Sequence, residues 1–298
     1  MKSVFVPIFP GTNCDRETLS WVHRNLEADT VSDPERVSIA NLAAVIVPGG
    51  FTYGDYLRAG AIAARTAALE VVRQARAAGV PVLGVCNGFQ ILCEAKVLPG
   101  VLTRNTCKHH LHGPVEIKVN PTVFGSHANA ASTWLPRVGR ARIESLLAQG
   151  RVPISCGMGA YVLPSEQRKS LASLCSAAGS GAEDGHQLPS YSLPSYSLGS
   201  QMDFSEEFAA SCAQFDFVPL FHYANNEPGS SASIAAIASA DGLVVGMMPH
   251  PERASDRVLG DDCGLILLLG LAQSRGLRVK PASPLATFSR RVTGEEAQ

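Results

Sequence analysis

The sequence predicts an α/β fold: a mainly parallel sheet with helices on both faces. Short β-branched runs alternate with longer amphipathic stretches through the first half of the chain. Two of those runs, Ala43–Val47 and Val80–Val85, are apolar throughout, as strands covered on both sides must be. The chain has 298 residues, 46% of them hydrophobic and 17% charged, which suffices for one sizeable core.

In chain order, Val4–Phe9 reads as a strand closed by a Pro-Gly-Thr-Asn turn. Asp15 to Glu27 reads as a helix with Leu19, Val22, His23 and Leu26 on one face. Ala43–Val47 is the second strand, stopped by Pro48-Gly49-Gly50. Ala59 to Ala78 is Ala-rich and predicts one helix, with Gly79 at the position of a C-terminal glycine. Val80–Val85 runs into Cys86, and Gly88–Ala95 begins another helix. Val115–Val119 alternates strictly, which predicts a half-exposed strand. A weak helical signal surrounds Ile143–Leu147.

Residues 176–200 turn to Gly, Ser, Pro and Tyr and repeat Leu-Pro-Ser-Tyr-Ser twice at 188–197. Such a segment buries too little apolar surface to offset its ordering entropy, so it reads as a mobile surface insertion. Strand patterns return at Phe217–Phe221, Ile234–Ala238 and Leu243–Met248, followed by a helix over Asp262–Gln273. The expected organisation is a single domain over 1–280 carrying that insertion, then a polar, frayed tail over 281–298.

A formal net charge of −1 gives no field that would gather nucleic acid or an anionic membrane. The apolar start is too short and too Pro-broken for a signal peptide, and no apolar run approaches the ~20 residues of a membrane span. Cytoplasmic location is the expectation. The eight cysteines form no CxxC pair, which suits reduced thiols. Cys107-Lys108-His109-His110-Leu111-His112 holds metal-capable groups but lacks a second cysteine at zinc-finger spacing. It reads as a polar loop, and no metal site is expected.

Gly84-Val85-Cys86-Asn87-Gly88 is the strongest local signal. A buried strand ends, one residue turns sharply, and a helix begins, with glycines permitting close backbone packing on either side. At a helix N-terminus the amide dipoles favour thiolate, and the Asn87 N–H is placed to meet an oxyanion. A structural cysteine before an ordinary helix would read the same, so partners matter. A thiolate needs a histidine, and that histidine needs an orienting acceptor. His250 follows an apolar strand within Pro249-His250-Pro251-Glu252, where i, i+2 spacing in extended backbone puts imidazole and carboxylate on one side. Pro48-Gly49-Gly50-Phe51 ends another strand and offers further backbone amides to the same cleft.

Three long motifs carry a family resemblance: Gly84 to Gln90, Pro48 to Arg58 (PGGFTYGDYLR) and Met247 to Arg253 (MMPHPER). They resemble the glutaminase subunits of phosphoribosylformylglycinamidine synthase, which are class I glutamine amidotransferases. Phe9 to Asp15 and the stretch Leu98 to Asn105 are also similar, so the resemblance covers about 1–119 and 215–275. It implies a flavodoxin-like sheet and a Cys86–His250–Glu252 triad that hydrolyses glutamine. It further implies oxyanion amides from Gly50 and Asn87, and substrate contacts from Gln90, Gly49 and Phe51. Ammonia would pass to a synthetase subunit, with a small accessory subunit as a further partner, to make formylglycinamidine ribonucleotide from formylglycinamide ribonucleotide. No cofactor is expected on this chain, because ATP and magnesium belong to the synthetase. The chain has no G-x-x-x-x-G-K-[ST] loop of its own.

The sequence departs from that family at Ser155-Cys156-Gly157-Met158-Gly159, where Ala-His-Gly-Glu-Gly is usual. Two polar groups have become a thiol and a thioether. This keeps open an alternative, a catalytically weakened subunit that binds and organises the synthetase. An elbow-cysteine hydrolase of the protease or deglycase type fits less well, since those take their histidine just after the nucleophile, where Asn87 stands.

Overall fold

The computed structural model describes residues 2–120, 133–138, 140–148, 150–163 and 217–294. The insertion expected at 176–200 lies outside them. The first apolar run gives β1 (Ser3–Phe5), followed by helix α1 (Asp15–Asn25) and a short strand β2 (Asp29–Val31). Three residues long and partly exposed, β2 carries too little pattern to announce itself. Next come β3 (Leu42–Val47), helix α2 (Ala67–Ala77), β4 (Val82–Val85) and helix α3 (Asn87–Glu94). Then follow β5 (Val101–Thr103), β6 (Leu111–Val115), β7 (Ile117–Val119), helix α4 (Arg140–Ala148), β8 (Val152–Cys156) and β9 (Ala160–Val162). The C-terminal part supplies β10 (Phe217–Tyr223), β11 (Ile234–Ser239), β12 (Val244–Met247) and helices α5 (Leu265–Arg275) and α6 (Pro284–Thr293).

The main sheet has eight strands in the order β2-β1-β3-β4-β12-β11-β10-β7. β2, β1, β3, β4 and β12 run parallel, and β11, β10 and β7 extend the sheet antiparallel. β3, β4 and β12 are buried along their whole length, as their uninterrupted apolar sequence requires. From β1 the chain moves to one side through α1, and from β3 to the other side through α2. Right-handed crossovers therefore place α1 and α2 on opposite faces. The order reverses between β1 and β3, and ligand clefts of open parallel sheets form at the carboxyl ends of strands beside such a switch.

Three expectations change. The single helix over 59–78 is replaced by turns and a 3₁₀ segment before α2. Gly60 has φ +80, and a Cβ there would lie 2.7 Å from the Ile91 amide nitrogen, so the chain bends tightly over α3. The strand over 115–119 divides at Glu116: β6 pairs with β8, while β7 joins the main sheet beside β10. The tail is not frayed over its length. Ser283 caps α6 by accepting from the Ala286 amide at 3.1 Å, Pro284 opens the helix, and Leu285, Phe288 and Val292 are buried.

Candidate active site

Four loops meet at the carboxyl ends of the parallel strands: those after β1, β3, β4 and β12. Cys86 stands between β4 and α3 with φ 51 and ψ −106, a left-handed conformation that an L-residue adopts only when its surroundings enforce it. The surroundings are visible in its flanking glycines. A Cβ on Gly88 would lie 2.0 Å from the Val47 carbonyl oxygen, and one on Gly84 would lie 2.7 Å from the Gly88 carbonyl oxygen. The Cys86 amide donates to the Met247 carbonyl at 2.7 Å, which ties the turn to β12. Its thiol is buried and lies 3.5 Å from the Ser155 carbonyl oxygen.

His250 enters from the end of β12, its amide donating to the Pro153 carbonyl at 2.7 Å. Its Nδ1 lies 2.7 Å from Glu252 Oε1, both side chains being 1% exposed. Its Nε2 has no hydrogen bond of normal geometry, although the Cys86 thiol is near enough to interact with the ring electrostatically. Burial disfavours the imidazolium, but the Glu252 carboxylate and Cys86 outweigh it and push the His250 pKa up to about 10. Burial raises the Cys86 thiol above its ordinary value, and His250 pulls it back. The sequence-predicted thiol, imidazole and carboxylate are thus brought together.

Gly49 is packed into the centre of this group. A Cβ there would meet His250 Cε1 at 2.8 Å, Cys14 Sγ at 3.3 Å and Cys86 Cβ at 3.4 Å. Gly50 has φ +138 and forms an isolated bridge with Thr12, so the loop after β1 supports the loop after β3. The Asn87 side chain holds the other edge. Its Oδ1 accepts from the Thr52 amide at 3.1 Å, and its Nδ2 donates to Gln90 Oε1 at 2.7 Å and to Asp55 Oδ1 at 3.3 Å. Gln90 Nε2 donates in turn to the Met158 carbonyl at 2.7 Å. The Gln90 amide is therefore engaged at both ends within the protein. Phe51 is 48% exposed at the rim, with its ring 6.4 Å from that of His110.

The unusual stretch 155–159 links β8 to β9. The Cys156 thiol faces Gly159, where an added Cβ would lie 2.4 Å from the sulfur. Asn105 fixes the turn: Nδ2 donates to the Cys156 and His109 carbonyls at 2.8 and 3.1 Å, and Oδ1 accepts from the Gly159 amide at 2.8 Å. The metal-capable stretch 107–112 does not converge. His110 Nε2 is bonded to Ser155 Oγ and His109 Nδ1 to the Cys107 carbonyl.

Sequence reasoning named Cys14 only within a longer resemblance. It stands at the N-terminal boundary of α1 without a side-chain capping bond, and its Sγ lies within 4.8 Å of ligand atoms of both His250 and Glu252. Burial first, and then the Glu252 charge, push its thiol up to about 12. Arg253 Nη2 lies 3.3 Å from that sulfur and also donates to Glu17 Oε2 at 3.0 Å. No spacing rule connects residue 14 to residue 250. Only the switch in strand order brings their loops together.

Residues 1–146 and 200–262 match the model of the CobB/CobQ-like glutamine amidotransferase domain. The chain is similar to phosphoribosylformylglycinamidine synthase subunit PurQ of Trichormus variabilis, 36% identical over 275 residues, covering 90% of this chain and 96% of the relative. Against the same subunit of Methanopyrus kandleri the identity is 35%, covering 92% and 98%. The structure of PurLQS from Thermotoga maritima matches with a TM-score of 0.63 and 25% identity, covering 92% of this chain and 97% of that one.

Proposed function

We infer the chemistry of this site from one premise: the chain belongs to the family of PurQ subunits of phosphoribosylformylglycinamidine synthase, within the glutamine amidotransferases. It is a glutaminase subunit that releases ammonia from glutamine. The ammonia serves the conversion of formylglycinamide ribonucleotide to formylglycinamidine ribonucleotide in purine synthesis.

In our reading the Cys86 thiolate attacks the side-chain amide carbonyl of glutamine. The oxyanion that forms is met by the backbone N–H groups of Gly50 and Asn87. His250, held by Glu252, gives its proton to the departing nitrogen, so ammonia leaves and a glutamyl thioester remains. Water then attacks the thioester, His250 takes a proton from it, and glutamate departs as the sulfur recovers its proton. Gly49 and Phe51 are the proposed substrate contacts, and Gln90, expected as a third, is a positioning residue instead. Gln90 acts through its hold on Asn87, since its amide is already committed.

The observation that carries this reading is the strained Cys86 turn at the end of β4 beside the buried His250–Glu252 pair at the end of β12. The partners are glutamine, the synthetase subunit and a small third subunit, as the PurLQS assembly from Thermotoga maritima suggests. ATP and magnesium act on the synthetase. The site of action is the cytoplasm. Among the described residues no helix is long and apolar enough to cross a membrane.

The test is glutamate release from glutamine by wild type and Cys86→Ala, with and without the synthetase. Activity in wild type and none in the variant supports the reading. Equal silence with the synthetase present would favour the weakened-subunit alternative that Cys156 and Met158 raise. A glutamine-analogue alkylator that labelled Cys14 instead of Cys86 would move the nucleophile.

A further inference from the structure

The two N–H groups of the proposed oxyanion hole come from different loops, so the loops must be held in register. Gly50 follows β3, and Asn87 is the first residue of α3, where an N–H has no carbonyl partner within the helix. The link between them is the Asn87 side chain, which is fully buried. Its Oδ1 accepts at 3.1 Å from the amide of Thr52, two residues after Gly50. That bond forms only while the carboxamide faces one way. Turned over, it would aim N–H donors at the Thr52 N–H.

Two acceptors set its direction, Gln90 Oε1 at 2.7 Å and Asp55 Oδ1 at 3.3 Å, both on Nδ2. Gln90 lies on the same helix as Asn87 and moves with it. Asp55 lies on the loop that has to be held. It is half-buried, burial pushes its carboxyl up, and the Asn87 N–H pulls it back with no cation contributing. The backbone beside it is strained: Tyr53, Asp55 and Leu57 have φ of 53, 54 and 68, in the left-handed region. Such strain persists only where neighbouring contacts over-determine it. The Asn87 carboxamide supplies two of those contacts, to Thr52 and to Asp55.

We propose that Asp55 is a positioning residue for glutamine hydrolysis: by orienting the Asn87 carboxamide it fixes the Gly50 N–H relative to the Asn87 N–H. The inference rests on the glutaminase reading above. Asp55 exchanges no proton and forms no bond with substrate. It acts on the tetrahedral oxyanion alone, because two donors stabilise that charge fully only when both point at it.

The experiment compares wild type, Asp55→Gly and Asp55→Asn in the complex with the synthetase. Glycine takes the left-handed backbone freely and removes the acceptor, so kcat for glutamate release should fall by roughly 10–10²-fold with KM little changed. Asparagine tolerates that backbone and keeps an acceptor oxygen, so Asp55→Asn should recover most of the loss. Alkylation of Cys86 by iodoacetamide, followed by peptide mass, forms no oxyanion and should keep its wild-type rate in Asp55→Gly. In an Asn87→Ala background, which retains the backbone N–H, Asp55→Gly should cost little more. Wild-type kcat in Asp55→Gly, no recovery in Asp55→Asn, an equal loss of alkylation or a fully additive second loss overturns this inference alone. A wild-type complex that releases no glutamate overturns the glutaminase reading and this inference with it. Should Asp55→Gly fail to fold, Asn87→Asp decides. It keeps an acceptor for Thr52 but sets a carboxylate against Asp55 and Gln90, so kcat should fall while alkylation holds. Unchanged kcat there overturns the proposal.

Discussion

His250 and Glu252 share a 2.7 Å contact from Nδ1 to Oε1 while both side chains are 1% exposed. In water such a pair would be worth little. Here it fixes the ring orientation and favours the imidazolium that the leaving nitrogen needs. Glu252→Gln keeps the shape and removes the charge. We expect kcat for glutamine to fall by roughly 10²–10⁴ with KM little changed, measured as glutamate release in the complex. A loss expressed only in KM would mean that Glu252 serves substrate binding.

The same pair carries a pH signature. His250 is raised to about 10 in the folded chain against 6.5 for an unperturbed histidine. A raised pKa means that the folded state holds the extra proton. Its stabilisation is complete below the unfolded value and is lost as pH rises through about 10. Buried thiols with raised pKa values act in the same direction, so wild type should melt lower at about pH 9.5 than at about pH 7. In Glu252→Gln the strongest raising influence on His250 is gone, and the gap between the two melting temperatures should narrow. An unchanged gap would assign the alkaline loss to the thiols alone.

Gly49→Ala tests the packing of the site rather than its charges. The new methyl group would lie 2.8 Å from His250 Cε1 and 3.4 Å from Cys86 Cβ, so the imidazole must shift away from the thiol. Displacing a reacting group by an ångström costs on the order of 10²-fold. We expect that loss in kcat with a folded protein, checked by circular dichroism beside the kinetics. Near wild-type turnover would place the working imidazole elsewhere.

What the sequence made legible was local. The Gly-x-Cys-x-Gly turn and the His-x-Glu spacing are chain neighbours, and the structure puts them at the ends of adjacent strands β4 and β12. Long-range contacts left no such mark. Cys14 reaches His250 only because the strand order reverses beside β1, and Asn105 acts on residues fifty positions away. The continuous helix expected over 59–78 failed because alanine content does not reveal a bend over α3 at Gly60. The tail failed differently. Ser283-Pro284 and Gly294 are ordinary helix boundary signals, and the apolar spacing of Leu285, Phe288 and Val292 was outweighed by a polar average.

Asn105 stands for the residues that shape the site from a distance. It is 2% exposed and makes three side-chain hydrogen bonds, two of which hold the turn carrying Met158, whose carbonyl receives Gln90. Asn105→Ala leaves buried backbone groups of Cys156 and Gly159 without partners. Each such group costs ~1–3 kcal/mol, so urea unfolding should show a loss of roughly 2–4 kcal/mol. Asn105→Asp restores the acceptor for Gly159 but not the donors, and should recover only part of it. Full stability in the alanine variant would mean that the turn is held by its strands alone.

The C-terminal helix makes the sharpest contrast with a frayed tail. Leu285 and Phe288 are fully buried and Val292 is 4% exposed, and the Leu285 amide donates to Asn25 Oδ1 at 2.9 Å. Asn25 ends α1, whose other end carries Cys14, so α6 braces the helix that sets this thiol beside His250 and Glu252. Burying such side chains contributes ~1.5–3 kcal/mol each, and area-based sums of this kind are upper bounds. Stopping the chain after residue 283 should therefore cost several kcal/mol, a large share of the ~5–15 kcal/mol that stabilises a typical domain. We expect the truncated chain to express poorly or to melt far below wild type. Ending it after residue 294 should leave the melting temperature unchanged. Equal melting of the two truncations would show that α6 adds nothing to the fold.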